Sequence, residues 1–475
     1  MPTPPPDNKN ASTPRPSFVK KERPRSSDKE GAGYDGARRH EQRTKPGLAA
    51  RGAALDVLRL VRRGRSLDDA LAACRSFYVL EGPDRGFARH LATTCLRRQG
   101  SLDGVVEHFL NSPLKADQHE LRALLRLGAA QLTLLDVAPH AAASTTVDLA
   151  RERGDTRGFA KLVNALCRRM AEKGKDVLAQ QSPRADTPGW LWRSWERAYG
   201  PARTKKMAAA HRVEPPLDIT LKPDANLEEW AERLEGEVIG PQSIRRQDGG
   251  KVEELPGYEE GAWWVQDVAS TLPALLAGDV SGQLVYDLCA APGGKTLQFS
   301  AAGAQVKSVD ISSNRIQRLF ENLNRTSLSA QVVASDVLDW TPDEKADVVL
   351  LDAPCTATGT IRRHPDLLWS KQEKELKILA TLQDRMIDHA VQLVKPGGML
   401  IFATCSLMQK EGEERVAEAL ARHPALRRRP VTLEEVGNLP VLTKDGDVRC
   451  LPSALAGQGG MDGFYSARLE LTDAA

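Results

Sequence analysis

The sequence predicts an α/β protein in three folded parts: an all-α domain, a small α/β subdomain and a doubly wound parallel sheet. After about residue 266, five hydrophobic runs alternate with helical segments, which is the pattern of a parallel sheet covered by helices. Between residues 47 and 177, hydrophobic residues recur at the helical period, which indicates amphipathic helices. The chain has 475 residues, enough for two or three hydrophobic cores.

Residues 1–46 have a composition of their own. They are rich in Pro, Ser, Lys and Arg and contain almost no large aliphatic side chains, so they cannot bury enough surface to offset the entropy of ordering. We predict a disordered basic tail, compatible with loose RNA binding or with a solubilising role. Its acidic residues argue against a transit peptide: Asp7, Glu22, Asp28 and Glu30.

Residues 47–177 are predicted to form the all-α domain. One helix face is marked by six residues at the helical period: Leu121, Leu124, Leu125, Gly128, Leu132 and Leu135. Basic residues cluster at 59–63, 97–98 and 168–169. A charged helix face is usually only solvated, so charge alone favours that interpretation over an RNA-binding surface.

Residues 178–265 are predicted to hold a linker and then the small α/β subdomain. The linker covers 180–188, and a helix rich in aromatic and basic residues begins near Trp190. Residues 217–221 alternate like a strand, and residues 227–234 have the pattern of a short helix.

Residues 266–475 are predicted to form the doubly wound domain. Its parallel strands are expected at 284–288, 305–309, 331–334, 347–351 and 399–403, with a turn at 395–398 before the last. In such a sheet, ligands bind beyond the carboxyl ends of the strands. Residues that directly follow the strands are therefore candidates for a functional site.

Composition excludes several classes of protein. Lys and Arg number 66 against 63 Asp and Glu, a net charge of +3, so any RNA contact must come from local patches. The seven cysteines never reach CxxC spacing, which disfavours a zinc site or a disulfide framework and favours a reducing, intracellular setting. No apolar run has the length of a membrane span, so we expect no membrane segment.

Two cysteines directly follow predicted strands. Cys355 ends the segment Asp352-Ala353-Pro354-Cys355, after the apolar run 348–351, and Cys405 follows the run 399–402. A lone cysteine is usually a packing residue. Two thiols at neighbouring strand ends would face one crevice, where one can attack a substrate while the other handles protons.

The segment 287–296 joins the first strand to the next helix. Its small residues and two glycines let the backbone approach a ligand, and a helix N-terminus offers free N–H groups. A phosphate-binding P-loop would need glycine where Cys289 stands, and the GxGxxG of dinucleotide sites is absent. Asp287, Cys289, Ala291 and Gly293 instead occupy the alternating positions of the acidic-x-Gly-x-Gly-x-Gly pattern of S-adenosylmethionine enzymes, in a variant form.

Three further acids follow later strands. Asp310 comes after the second strand, where a carboxylate can hold two ribose hydroxyls, and Asp336 comes after the third, within reach of adenine or ribose. Asp352 ends the fourth strand, near the expected methionine moiety and target base. A single Asp usually belongs to a turn, but acids at successive strand ends favour a cofactor site.

Five motifs resemble the RNA cytosine-5 methyltransferases of the RsmB and Nop/Sun group, over residues 188–475. They are Val265–Ser270, Cys289–Thr296, Asp352–Cys355, Thr404–Ser406 and Asp462–Tyr465. The helical domain resembles the NusB-type RNA-binding fold through Asp84–Ala88 and Asn164–Arg168. This pairing is similar to members of the group that act on 16S ribosomal RNA, and it favours an RNA-binding role for the basic helices.

The resemblance implies a Rossmann-like methyltransferase domain that uses S-adenosylmethionine to methylate carbon 5 of a cytosine in RNA, most simply 16S ribosomal RNA. It implies that Cys405 is the nucleophile that adds to carbon 6, and that Cys355 assists removal of the carbon 5 proton. Asp352, if buried, is expected to serve ring nitrogen 3 as a proton donor. The cofactor-binding residues expected are Cys289, Ala290, Ala291, Pro292, Gly293, Gly294, Lys295, Asp310, Asp336 and Asp352.

The resemblance also implies a monomeric cytoplasmic protein with RNA as its partner, without a metal and without a membrane segment. Two segments depart from the family pattern. Leu221-Lys222-Pro223 stands where the family usually has an Arg and an Asn, and Trp263-Trp264 replaces smaller residues, so RNA contacts there stay open.

Three other functions are compatible with parts of the sequence. One is the same chemistry on transfer RNA or another ribosomal site, and another is a non-catalytic RNA-binding assembly factor. A small-molecule methyltransferase would leave the N-terminal half without a purpose. Methylation of an amine is disfavoured, because Pro354-Cys355 stands where such enzymes have a Pro-Pro-aromatic motif.

Overall fold

The computed structural model describes residues 47–472. Residues 1–46 and 473–475 lie outside the described range, and the predicted disordered tail lies there with them. Within the described range, no helix combines the length and apolar character needed to cross a bilayer.

Helices occupy the N-terminal part of the described chain. They are α1 (Leu48–Arg62), α2 (Leu67–Ala73), α3 (Arg75–Tyr78), α4 (Gly82–Arg97), α5 (Gln99–Phe109), α6 (His119–Thr133), α7 (Pro139–Glu152) and α8 (Ala160–Ala179). The predicted helix face lies in α6, where five of its members are buried: Leu121, Leu124, Leu125, Gly128 and Leu132. The sixth, Leu135, lies beyond the end of α6 and is partly buried. Gly128 permits close packing, because a Cβ atom there would lie 3.2 Å from Thr146 in α7.

A small antiparallel sheet follows helix α9 (Gly189–Ala210), which Gly200 and Pro201 break. The sheet contains β1 (Leu217–Leu221), β2 (Glu237–Gly240), β3 (Ser243–Arg246) and β4 (Trp263–Val265), with α10 (Leu227–Arg233) after β1. Its order is β2-β3-β1-β4. The strand predicted at 217–221 is confirmed, and the helix predicted at 227–234 ends one residue earlier.

The C-terminal part of the described chain is a sheet with helices on both faces. Its elements are α11 (Val268–Leu275), β5 (Leu284–Leu288), α12 (Gly294–Ala301), β6 (Gln305–Asp310), α13 (Ser313–Thr326), β7 (Gln331–Ala334), β8 (Ala346–Asp352), α14 (Leu367–Ser370), α15 (Glu375–Leu393), β9 (Val394–Thr404), α16 (Glu413–Arg422), β10 (Leu426–Arg428), β11 (Val448–Cys450) and β12 (Phe464–Leu471). The strand order is β10-β12-β9-β8-β5-β6-β7, and β11 pairs with β12.

The five predicted strands are present as β5 to β9, and neighbours among them run parallel. Two details of the prediction were wrong. The sheet is mixed rather than parallel throughout, because β12 pairs antiparallel with β9 and carries β10 and β11 antiparallel to itself. Residues 395–398 lie within β9 rather than before it, and the pairing with β8 shifts register there.

Strand order reverses at β5: β6 and β7 are added on one side of β5, and β8 and β9 on the other. Strand β5 lies between β6 on one side and β8 on the other, and β9 lies beyond β8. A crevice forms at such a switch point, outside the carboxyl ends of the strands. The loops that follow β5, β6, β8 and β9 therefore converge on one place.

The N-terminal helices contact the segment that follows Cys355. The indole N–H of Trp369 donates to the carbonyl of Leu96 at 2.9 Å, and the Arg97 guanidinium donates to the carbonyl of Arg362 at 2.8 Å. These are buried or half-buried contacts, which hold the segment against the helices.

Candidate active site

The two cysteines predicted from the sequence lie together. Their Sγ atoms are 3.5 Å apart, although the residues are 50 positions apart in the chain. The Ala353 N–H donates to the Ala403 carbonyl at 2.9 Å, which extends the β8–β9 pairing up to the loops. Both cysteines are half-buried, and the structure contains them as free thiols.

The Cys355 thiol holds its proton more tightly than an ordinary cysteine does. Its side-chain hydrogen bond with Cys405, followed by burial, raises the pKa of the Cys355 thiol well above its ordinary value. The S–H of Cys355 can therefore donate to the sulfur of Cys405 at neutral pH.

Two cations lie near the Cys405 sulfur. The Lys295 ammonium contacts the Asp352 carboxylate at 2.7 Å and lies over the Phe464 ring, 5.1 Å from its centre. Burial on its own lowers the pKa of Lys295. The Asp352 carboxylate raises it by its charge and its hydrogen bond, and weaker charge interactions, one of them with Cys405, add to this, so the net shift of the pKa is upward. The lysine is therefore a fixed positive charge at the crevice.

Arg363 is the second cation, and its partner is the fully buried Asp462. The Arg363 Nε donates to Asp462 at 2.7 Å. Burial lowers the pKa of Arg363, but Asp462 and weaker charges that include Cys405 raise it above its ordinary value. Burial raises the pKa of Asp462 to about 6, although Arg363 opposes that shift.

The loop after β5 is shaped by its glycines. Gly293 has a φ of 108°, a conformation that favours glycine, and a Cβ atom there would lie 2.2 Å from the Leu319 Cδ1 atom. Helix α12 begins at Gly294, where a Cβ atom would lie 3.0 Å from the Gln266 side chain. Cys289 also has a positive φ, 63°, and is half-buried, and burial raises the pKa of its thiol.

Backbone contacts hold the rest of this loop. The N–H of Ala290 donates to the Val309 carbonyl at 3.1 Å, and the N–H of Ala291 donates to Asp310 Oδ2 at 3.0 Å. The Pro292 carbonyl accepts from the Asn322 side chain at 3.1 Å. These contacts fix the loop to α13 and to β6, and β6 ends at the next predicted site residue, Asp310.

The predicted acids are placed at the strand ends. Asp310 is 2% exposed, its Oδ1 accepts from the Ser312 N–H at 2.9 Å, and its Oδ2 also lies 3.5 Å from the Arg315 guanidinium. Asp336 follows β7, is half-buried, and accepts from the Leu338 N–H at 2.9 Å. Asp352 is half-buried rather than fully buried.

Asp287 in β5 lies beneath the loop. Its Oδ2 accepts from the Thr296 hydroxyl at 2.6 Å, and its Oδ1 has no hydrogen-bond partner among residues 47–472. Burial raises the pKa of Asp287 to about 7, against the opposing effect of Thr296. Buried polar atoms normally have a hydrogen-bond partner, and a bound polar ligand would supply one to Asp287 Oδ1.

These residues fit S-adenosylmethionine. Carboxylates at successive strand ends suit ribose hydroxyls and an amino group, and helix α12 begins directly after the glycine loop, where free N–H groups face the crevice. Among the described residues, no group of three or more His, Cys, Asp or Glu side chains is arranged to hold a metal ion.

The residues that depart from the family pattern have structural partners. The Lys222 ammonium donates to the Thr326 carbonyl at 2.9 Å, which ties the small subdomain to α13. Trp263 and Trp264 are buried, and their indole N–H groups donate to the Pro256 carbonyl and the Gln266 side chain. These side chains act in the core, where bulky residues are accommodated.

Arg363 and the buried Glu411 lie beside the cysteines and were not among the predicted site residues. Neither residue lies within a recognised motif, and a charged residue such as Glu411 is usually exposed, so no local pattern places either of them near the two thiols. The consecutive arginines 362 and 363, soon after Cys355, are the one local signal that was available for Arg363.

The fold and the site define a class. A mixed sheet of this order, with a glycine loop after its first strand and acids at the following strand ends, is an S-adenosylmethionine-dependent methyltransferase fold. Residues 274–470 match the family described as 16S rRNA methyltransferase RsmB/F, and residues 48–172 match the NusB family.

Curated relatives match nearly the whole chain. "Ribosomal RNA small subunit methyltransferase B" of Pseudomonas putida is 34% identical over 437 residues, which cover 88% of this chain and 97% of the relative. The protein of the same name from Erwinia tasmaniensis is 32% identical over 436 residues, with the same coverage of both chains. The chain therefore belongs to the RsmB/F family of RNA methyltransferases, whose cofactor is S-adenosylmethionine.

Solved structures share the fold. The crystal structure of PH0851 superimposes with a TM-score of 0.70 at 23% identity, over 90% of this chain and 99% of that one. NSun6 from Pyrococcus horikoshii gives a TM-score of 0.52 at 18% identity, over 60% of this chain and 99% of that one.

Proposed function

We propose that this protein methylates carbon 5 of a cytosine in small-subunit ribosomal RNA, through a covalent bond between Cys405 and the base. The 3.5 Å separation of the Cys355 and Cys405 sulfurs carries the proposal, because C5 methylation needs a nucleophile and a proton acceptor at neighbouring ring atoms. The substrate is inferred from the names of the two curated relatives described above, both of which are ribosomal RNA small subunit methyltransferases. The cytoplasm is the expected location for such a substrate.

Carbon 5 of cytosine is a weak nucleophile, so the ring must be activated first. The Cys405 thiolate adds to carbon 6, which forms a C–S bond and moves ring electrons towards carbon 5 and nitrogen 3. Asp352, in its carboxylic acid form, donates the proton that nitrogen 3 takes up, and the Lys295 ammonium, 2.7 Å away, stabilises the carboxylate that results. S-adenosylmethionine, when bound, supplies an electrophilic methyl group for carbon 5.

The two thiols then exchange roles. While Cys405 is free, its sulfur lies in hydrogen-bond contact with Cys355 and raises the pKa of that thiol. Once Cys405 is bonded to carbon 6, its sulfur is a neutral thioether, so both the hydrogen bond and the charge that held the Cys355 proton are weakened. Cys355 can then lose that proton to water, and its thiolate accepts the proton of carbon 5. The electrons of the broken C–H bond form the C5–C6 double bond, and Cys405 leaves as a thiolate by β-elimination.

The target base must leave its stack to reach this crevice, so an unpaired or extruded cytosine is the expected substrate. The helical domain, with its basic helices and its NusB-family match, is the expected RNA-binding part. The same chemistry on transfer RNA is the alternative, and a non-catalytic assembly factor is the alternative of another class.

Bisulfite sequencing of total RNA tests the reaction and the substrate together. Cells that carry only the Cys405→Ala protein are compared with cells that carry the native protein. We expect loss of 5-methylcytosine at one position of small-subunit RNA. Loss at a transfer RNA position would change the substrate and keep the chemistry, and an unchanged methylation pattern would contradict the proposal.

A further inference from the structure

Glu411 is a fully buried carboxylate that joins the loops carrying the two cysteines. Its Oε1 accepts from the Thr356 N–H at 2.9 Å, and its Oε2 accepts from the Thr356 hydroxyl at 2.5 Å. The Ser406 hydroxyl donates to the same Oε2 at 2.5 Å. Thr356 directly follows Cys355 and Ser406 directly follows Cys405, so one carboxylate holds the residue next to each thiol.

Neighbouring contacts complete this bridge. The Gln383 amide, from α15, donates to the Pro354 carbonyl at 2.9 Å and to Glu411 Oε1 at 3.4 Å. Cys355 is therefore fixed on both sides, through Pro354 and Thr356. On the other loop, the Cys405 carbonyl accepts from the Gly359 N–H at 2.9 Å.

Stability alone does not account for a carboxylate in this position. Among residues 47–472, Glu411 has no Lys, Arg or His within ion-pair distance, and its charge is met by hydrogen-bond donors only. Burial raises the pKa of Glu411, although the donors from Ser406 and Thr356 oppose the shift. A buried charge is costly to desolvate, and a well-packed apolar side chain is often at least as stabilising.

Hydrogen bonds to a carboxylate are short and directional, which an apolar contact is not. Carbons 5 and 6 of a pyrimidine are directly bonded, so thiols that serve both atoms must be held within a few ångströms of each other. We propose that Glu411 is a positioning residue, which sets the separation of Cys355 and Cys405 by holding Thr356 and Ser406. The effect of Glu411 on the methylation rate rests on the proposed function. Its effect on the separation of the two thiols does not.

The geometric consequence is measured without RNA or cofactor. The full chain is equilibrated in a glutathione redox buffer, where two thiols form one disulfide as one glutathione disulfide becomes two glutathione thiols. Mass spectrometry of peptides then quantifies the Cys355–Cys405 link. The equilibrium constant reports the effective concentration of one thiol at the other.

We expect Glu411→Ala to lower this effective concentration at least fivefold, because both loops lose their shared anchor. Glu411→Gln should give a smaller decrease, because the amide oxygen can still accept from the Thr356 N–H. Asp186→Asn is a matched control. Asp186 is a buried carboxylate that accepts from the Ser101 N–H at 2.7 Å and hydroxyl at 2.5 Å, and it touches neither cysteine loop. Its variant should leave the constant unchanged.

The catalytic consequence is read from kinetics. Glu411→Ala should reduce kcat at least tenfold with little change in KM for RNA, and Glu411→Gln should restore part of the loss. An unchanged disulfide constant in folded Glu411→Gln and Glu411→Ala would overturn the inference. If the alanine variant does not fold, an unchanged constant in the glutamine variant alone would overturn it.

Failure of the proposed function gives a different pattern. In that case Cys355→Ala forms no covalent RNA adduct, while the glutathione equilibrium of the Glu411 variants still shows whether the carboxylate sets the thiol separation.

Discussion

The sulfur of Cys355 lies 3.5 Å from the sulfur of Cys405, and the contact raises the pKa of Cys355. Removing the Cys405 sulfur should therefore bring that pKa back towards its ordinary value. In Cys405→Ala, Cys355 should react with iodoacetamide faster at pH 8 than it does in the native protein. Peptide mass spectrometry distinguishes the two cysteines. An equal or slower rate at Cys355 would show that Cys405 does not hold its proton.

The contact of Lys295 with Asp352 gives a second prediction. Lys295→Met removes the charge and keeps most of the length, so the Asp352 carboxylate loses the cation at 2.7 Å. We expect the single-turnover methylation rate to fall about 100-fold, a typical loss for one electrostatic contact in an active site.

Lys307→Met provides the matched control for this lysine. Lys307 also contacts a carboxylate, Glu344 at 3.4 Å, and lies over an aromatic ring, Tyr286 at 5.7 Å, but it lies on β6 away from the cysteines. Its variant should keep the native rate. Equal losses in the two variants would mean that the ion pair at the crevice has only a structural role.

Gly293 should be intolerant of a side chain. Gly293→Ala forces an L residue to a φ of 108° and places a Cβ atom 2.2 Å from Leu319, which is itself buried and cannot move aside. Cofactor affinity, measured by calorimetry, should fall at least about 10-fold.

Gly397→Ala is the control that separates the backbone strain of a positive φ from the steric clash with a neighbouring side chain. Gly397 also has a positive φ, 76°, but a Cβ atom there would meet nothing within 4 Å. Its variant should lose about 1 kcal/mol of stability and bind the cofactor normally. Normal cofactor binding in Gly293→Ala would contradict the assignment of this loop.

His211 predicts how stability depends on pH. Burial lowers the pKa of His211 from 6.5 to about 3, and Arg362 and Arg97 act in the same direction. The unfolded chain therefore binds the proton more tightly, so stability is lost as pH falls below 6.5. His211→Phe keeps a ring beside Trp195 and removes the titration. Between pH 6.5 and 5, the native protein should lose about 1.6 kcal/mol more than this variant in urea unfolding. Parallel pH profiles would contradict the assignment.

Local patterns were sufficient to predict the central strands and the adjacency of the two cysteines. Strands β5 to β9 are short apolar runs between helical segments, and the rule for carboxyl ends places Cys355 and Cys405 together. The antiparallel strands β10 to β12 were not predicted, because their pairing depends on contacts between distant parts of the chain. Phe464 and Tyr465 were interpreted only as a motif, although they begin β12.

The polar contacts around the cysteines were also beyond local patterns. Glu411 is six residues from Cys405 and follows Lys410, which in sequence is typical of an exposed turn. Its burial follows from the packing of α15 and of the loop after β8 around it, and only the fold brings Gln383 and Thr356 to its carboxylate. Ion pairs such as Arg363 with Asp462 have the same origin.

The covalent intermediate is the most direct test of the account. Cys355→Ala protein is incubated with small-subunit RNA and S-adenosylmethionine and analysed on a denaturing gel, beside the double variant that also carries Cys405→Ala. We expect a ribonuclease-sensitive protein–RNA adduct with Cys355→Ala, because the carbon 5 proton is no longer removed, and none with the double variant. No adduct with Cys355→Ala, or an adduct that persists without Cys405, would contradict the proposed division of roles between the two thiols.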